Sequence, residues 1–242
     1  MNLSWQQSIG LEQQHLIECQ HSDNHQPNSQ KYRIAKSIQS DLSRLLLAAR
    51  NDNVEISIVS SYRSFEQQLS IWNDKWRGYR PVFSRHGRPL NITQMSNMEK
   101  YKAISLWSAL PGMSRHHWGT DLDIFSKKAI KEGHKVELIP DEFSPKGVCV
   151  ELNHWLNRNL PKYGFFRPYL NYQQGVSAEA WHISHIKTSK QILSTFPFEQ
   201  CLKTLNQSDI KSRIFISEHF ENYKTQYFLN ICPADITTNS LE

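Results

Sequence analysis

Hydrophobic positions recur at helical spacing early and late in this chain and at strand spacing between. From Tyr32 onward, Ile34, Ile38, Leu42, Leu45 and Leu46 fall on one face, which predicts a helix. In VEISIVSS, Val54, Ile56 and Ile58 alternate with Glu55 and Ser57, the pattern of a half-buried strand. Ser64 and Gln67 form a capping box ahead of a stripe of Phe65, Leu69, Trp72 and Trp76, which reads as core. Ser96 and Glu99 cap a further helix, predicted to run to Leu110 and to stop at Pro111-Gly112. A strand is expected near Leu122–Phe125, and KEGHKVELIP reads as another strand or hairpin arm. Val148, Leu152, Trp155, Leu156 and Leu160 set a helix face before Pro161.

YGFFRPY and AEAWHISHI are short extended segments, and helices are expected around 191–205 and 209–223. No regular strand–helix–strand alternation runs through the sequence. The fold class is therefore α+β, a small antiparallel sheet flanked by helices. The polar start, residues 1–28, reads as an arm or surface wrap, residues 29–190 as the main domain, and 191–242 as a helical extension packed on it, with a polar tail. RGYRPVFSRHGRPLN is long enough to be a functional flap.

Composition narrows the classes. The 242 residues are 38% hydrophobic and 21% charged, with a mean hydropathy of −0.60, which excludes a disordered chain. No run approaches the roughly 20 apolar residues of a membrane span. The first residues lack a basic head and an apolar stretch, so the expected compartment is the cytoplasm, or the periplasm or envelope if the N-terminus is incomplete. The net charge of +5 comes from Lys and Arg spread along the chain, an ordinary basic enzyme's pattern and not a nucleic-acid stripe. Cys19, Cys149, Cys201 and Cys232 form no CxxC pair and read as reduced, mostly buried thiols.

GMSRHHWGTDLDIF, residues 112–125, concentrates metal-capable side chains beside a predicted strand, and SAEAWHISH, residues 177–185, repeats the ingredients. A hydrolytic zinc ion takes three protein ligands and leaves one position open. His116 and Asp123, seven positions apart, can converge on one ion, with His182 as the third ligand from another strand. Two imidazoles and one carboxylate leave such a site with a net positive charge. Glu179, three residues before His182, is the candidate general base, which requires an irregular backbone between them. Arg63 is the candidate cation for a developing oxyanion. His117 and His185 each neighbour a proposed ligand, and either is an alternative to it. Asp121 is either a residue holding a ligand imidazole or a solvated strand residue. His15, His21, His25, His86, His134, His154 and His219 are read as ordinary. HExxH is absent.

These segments resemble one family. SRHHWGTDLDI looks like the SxHxxGxxxD signature of the VanY-like D-Ala-D-Ala carboxypeptidases, with Ser114, His116, Gly119 and Asp123 on its fixed positions. EAWH is similar to that family's ExWH, with Glu179, Trp181 and His182 in place. SSYRSFEQQ resembles SGYRSxxxQ, matching Ser60, Tyr62, Arg63, Ser64 and Gln68. The resemblance covers roughly Ile34 to Ile186. It implies a zinc peptidase of the Hedgehog/DD-peptidase fold that trims D-amino acids from peptidoglycan stem peptides, with one Zn2+ on His116, Asp123 and His182. By the same resemblance Glu179 is the base, Arg63 stabilises the oxyanion, and Ser114 and Gln68 hold substrate; Tyr62 and Trp181 are counted beside them, and Asp121 and His117 behind the ligands. The chain departs from the pattern at Ser61, which replaces a glycine, and at Asp121, which replaces a small residue. An endopeptidase on the same scaffold and a non-catalytic zinc module are the alternative readings.

Overall fold

The computed structural model describes residues 2–20 and 31–234. Residues 21–30, which include His21 and His25, and most of the expected polar tail lie outside the described residues. The chain starts with a single helical turn, α1 (Trp5–Ser8), and a hairpin of β1 (Leu16–Gln20) and β2 (Lys31–Ala35). The start of the helix expected from Tyr32 is thus a strand. Lys31, Tyr32, Arg33 and Ile34 alternate between exposed and more buried positions, a period-two pattern that pairing with β1 selects over the helical one. Residues 2–20 wrap the body closely: Ile9 is fully buried, Trp118 Nε1 donates to the Ser8 carbonyl at 3.0 Å, and Phe65 N donates to Gly10 O at 2.9 Å.

After α2 (Gln39–Asn51) the chain enters β3 (Ile56–Ser60) and then α3 (Phe65–Arg77), which begins at the expected Ser64/Gln67 capping box. The flap is a small hairpin of β4 (Val82–Phe83) and β5 (Pro89–Leu90). The Trp107 indole pins it by donating to Ser84 O at 3.3 Å. Helix α4 (Asn97–Ser105) has its predicted capping box but ends well before Leu110. β6 (Asp121–Ser126) and the short α5 (Lys127–Lys131) follow.

KEGHKVELIP forms no strand. Its backbone donors turn to one buried side chain instead: Glu142 accepts from Glu137 N at 3.1 Å and Ile139 N at 3.0 Å, and pairs with His134 Nε2 at 2.8 Å. A carboxylate that satisfies successive N–H groups removes the need for a ladder partner. Helix α6 (Val150–Asn159) starts two residues after the exposed Val148. β7 (Phe165–Phe166) and β8 (His182–His185) complete the sheet. The C-terminal part divides into α7 (Ile186–Ser194), α8 (Phe198–Gln207), α9 (Arg213–Glu218) and α10 (Phe220–Tyr223). Pro197 caps α8, and a proline there cannot continue the preceding helix, so one expected segment becomes two.

The main sheet has the order β3-β6-β8-β7, antiparallel throughout. The architecture is α+β with small antiparallel sheets. Leu122, Ile124 and Ile183 on one face join Leu42, Leu45, Leu152 and Leu156 in a core beneath the sheet. Neighbouring positions on the strands must point the opposite way. That second face carries Asp121, Asp123, His182 and Ser184. A second core, under the N-terminal wrap, gathers Trp72, Trp76, Trp118 and residues of α7–α10 such as Ile192, Leu205 and Tyr223.

Candidate metal centre

Register brings the site together. Asp123 on the central strand lies opposite His182 on one neighbour and Ser60 on the other. The β3–β6 ladder shifts between Ile58 and Ser60, and this irregularity delivers the following Tyr62-Arg63 segment to the rim. His116 comes from a 3-10 turn, Arg115–Trp118, that Gly119 closes with φ of +67°. A side chain at Gly119 would place Cβ 2.7 Å from the Ala35 backbone nitrogen, so both conformation and space require glycine.

His116, Asp123 and His182 each present one ligand atom, and these atoms lie within 4.8 Å of one another. His116 Nδ1 donates to the Ser61 carbonyl at 2.8 Å, which leaves Nε2 facing Asp123 Oδ2 at 3.4 Å. His182 Nε2 donates to Asp121 Oδ1 at 3.1 Å, which turns Nδ1 towards Asp123 Oδ1 at 3.3 Å. Asp123 Oδ1 is buried and accepts no hydrogen bond among the described residues. An orphaned buried carboxylate oxygen between two correctly turned imidazoles fits a cation. The all-N/O donor set suits zinc.

Burial opposes charge on Asp123, yet the adjoining His116 and His182 hold its carboxyl well below the usual range. Glu179 behaves in the opposite sense. Burial raises its pKa, and the nearby histidines offset that only in part. Its Oε2 lies 3.4 Å from His182 Nδ1, facing the ligand atoms. The chain does turn between these residues, with His182 N donating to Glu179 O at 3.2 Å. Glu179 N in turn donates to Tyr169 O at 2.7 Å. Tyr169 also stands edge-on to the His182 ring at 5.0 Å. Arg167, buried, donates to Ala180 O at 3.2 Å and to Asn153 and Asn157, and so ties this segment to α6.

Arg63 is partly buried, within electrostatic reach of Asp123 and Glu179. Its guanidinium donates to Gln68 Oε1 at 2.8 Å, and Gln68 Nε2 donates to Ala109 O at 2.6 Å. The Gln68 amide is engaged at both ends and fully buried, so in this structure it holds Arg63 and has no free end for substrate. Tyr62 braces the N-terminal wrap, its hydroxyl 3.3 Å from Gly10 O. Trp181 is buried and stacks on Trp107, ring centroids 6.2 Å apart. Ser114 is buried just ahead of the histidine turn.

His117 does not face the ligand cluster. Nδ1 donates to Arg63 O at 2.6 Å and Nε2 accepts from Gly112 N at 3.0 Å, and burial pushes its pKa down to about 3. His185 is spent on Asp41 Oδ2 at 2.9 Å and Thr188 Oγ1 at 3.0 Å. Asp121 is buried, not solvated. Arg115 Nε donates to it at 2.7 Å and Thr120 Oγ1 at 2.7 Å. Burial would raise its pKa, but the Arg115 charge brings it down to about 2. Ser61, at the glycine position of the pattern, accepts from Arg33 N through its hydroxyl at 3.2 Å. Sequence reading missed Arg115, Arg167 and Tyr169, because nothing in their local spacing marks a residue that acts on a distant segment.

The fold and this centre define a class of protein, the zinc peptidases. The family described as D-alanyl-D-alanine carboxypeptidase, VanY, matches residues 31–188, and the chain belongs to it. An uncharacterized protein of Haemophilus influenzae is 31% identical over 118 residues, 48% of this chain and 90% of its own length. A D-alanyl-D-alanine carboxypeptidase of Enterococcus faecalis is 26% identical over 181 residues, 74% of this chain and 58% of that protein. Among solved structures, the LdcB LD-carboxypeptidase shares the fold, with a TM-score of 0.51 at 22% identity over 77% of this chain and 76% of its own. VanYB in complex with D-Alanine-D-Alanine is 26% identical with a TM-score of 0.48, over 74% of this chain and 86% of its own.

Proposed function

We propose that this enzyme removes a C-terminal D-amino acid, D-Ala, from peptidoglycan stem peptides. One observation carries the catalytic part. The Glu179 carboxylate and Asp123 Oδ1 approach the same atom, His182 Nδ1, at 3.4 and 3.3 Å, yet Glu179 is not one of the three clustered ligands. A carboxylate beside the ligand set, held towards its protonated form by burial, is suited to take up a proton and return it.

His116, Asp123 and His182 would hold one zinc ion, which when bound would supply Lewis-acid polarisation of the scissile carbonyl and a more acidic water. Glu179 takes the proton from the attacking water and delivers it to the leaving amine. Arg63, oriented by Gln68, faces the oxygen on which negative charge develops. Asp121 orients His182, and Arg115 keeps Asp121 ionised. His117 fixes the Arg63 backbone. Tyr62 and Trp181 support the site by packing, Tyr62 on the N-terminal wrap and Trp181 on Trp107.

Mass spectrometry on synthetic stem peptides, as free acids and as C-terminal amides, tests this function. Loss of a single residue from the free acid alone is the expected result. Equal internal cleavage of both peptides would identify an endopeptidase and overturn the proposal.

A further inference from the structure

The Gln68 amide is committed at both ends, so a terminal carboxylate needs a different partner. α3 provides one. Lys75 follows Gln68 by seven residues, two turns along the same helix face. Its ammonium is partly buried and donates to the Ser108 hydroxyl at 2.7 Å. Ser108 adjoins Ala109, whose carbonyl holds Gln68. Hydrogen bonds and chain therefore link Arg63, Gln68, the 108–109 segment and Lys75 into one network that starts beside the ligand cluster.

This network carries two cations, Arg63 and Lys75. No carboxylate lies within ion-pair distance of Lys75 among the described residues. The neighbouring Asp74 pairs with Arg80 at 3.3 Å. The charges that reach Lys75 are Arg63 and Arg80, which repel it, and Glu179, which attracts it. An ammonium carries three donors, and one hydroxyl satisfies only one of them. A partly buried cation without a counter-ion is stabilised when an anion arrives. Burial accordingly lowers the Lys75 pKa to about 8.

We propose that Lys75, with the Ser108 hydroxyl beside it, receives the terminal carboxylate of the peptide substrate. The inference rests on the carboxypeptidase reading above and adds the group that distinguishes a free acid from a blocked end. Lys75 is a specificity residue in this role, and it takes no part in proton transfer.

The test separates the two claims. Zinc-loaded Glu179→Gln protein is titrated by calorimetry with an uncleaved peptide ending in D-Ala-D-Ala, as free acid and as amide. The expected preference for the acid is about tenfold or more, the worth of a charge-assisted hydrogen bond. Lys75→Met added to this background should abolish the preference by weakening only the acid, while Lys75→Arg should keep most of it. In the active enzyme Lys75→Met should raise KM for the free acid and leave kcat within about threefold. Zinc content and thermal midpoint report on folding. An acid preference that survives Lys75→Met, or a parent protein with no acid preference, overturns the assignment. If wild-type enzyme cleaves acid and amide alike, the carboxypeptidase reading fails, and the binding comparison still decides the role of Lys75.

Discussion

Asp121 lies 3.1 Å from Nε2 of His182, on the side of the ring opposite the ligand cluster. The carboxylate fixes which nitrogen bears the proton, and Arg115 and Thr120 fix the carboxylate. Arg115 Nη2 also donates to Ser184 Oγ at 2.7 Å, so the support reaches back into β8 itself. The position that departs from the family pattern is therefore built into the metal centre.

Replacing Asp121 with alanine should weaken zinc binding by about 10- to 100-fold. Competition against a chromogenic chelator measures this without any activity assay. Asp121→Asn, which can still accept from Nε2, should recover part of the loss. Unchanged affinity in both variants would reduce Asp121 to a packing residue.

Glu179→Gln should keep zinc and fold but lose hydrolysis by about 10²-fold or more, the usual worth of a positioned proton carrier. Metal analysis and a thermal melt accompany the rate measurement. Full activity in the variant would remove Glu179 from the chemistry, and loss of the metal would make it a ligand.

Gln68→Ala should act through Arg63. With its fork partner gone, Arg63 loses the direction it has at 2.8 Å, so kcat should fall by about tenfold or more while KM changes little. A rise in KM alone would return Gln68 to substrate binding.

Gly119→Ala should destabilise the protein by about 2 kcal/mol or more, since φ is +67° and Cβ would meet the Ala35 backbone at 2.7 Å. Urea unfolding of the zinc-free protein reads this directly. A neutral substitution would show that the turn has another conformation.

His117 predicts a pH dependence. It is neutral in the fold, with its pKa near 3, while the unfolded chain binds a proton near about 6.5. Its contribution is complete above pH 6.5 and is lost progressively as the pH falls towards 3, at about 1.4 kcal/mol per unit. His117→Gln takes up no proton. Its stability should decline less steeply across that window by the equivalent of one proton. Parallel slopes for both proteins would contradict a buried neutral imidazole.

Much of the fold was legible in local chemistry. The capping boxes at Ser64 and Ser96 begin helices as expected, because a cap is satisfied within four residues. The strand at Leu122 and the stripe of Phe65, Trp72 and Trp76 likewise followed from periodicity. Elements whose partners are distant were not legible. β2 is a strand because β1 pairs with it, and 132–139 is irregular because Glu142 takes the Glu137 and Ile139 N–H groups.

The ligand trio shows the same division. Sequence by itself determined the chemistry on offer, four imidazoles, two aspartates and a glutamate in two segments near predicted strands. Tertiary structure decided which nitrogen of each histidine faces inward, that His117 turns away, and that Gln68 grips an arginine. Side-chain identity travels with the chain, but orientation depends on hydrogen-bond partners such as Ser61, Asp121 and Ala109. Only the folded sheet and its loops bring those partners within 3 Å or so of the groups they direct.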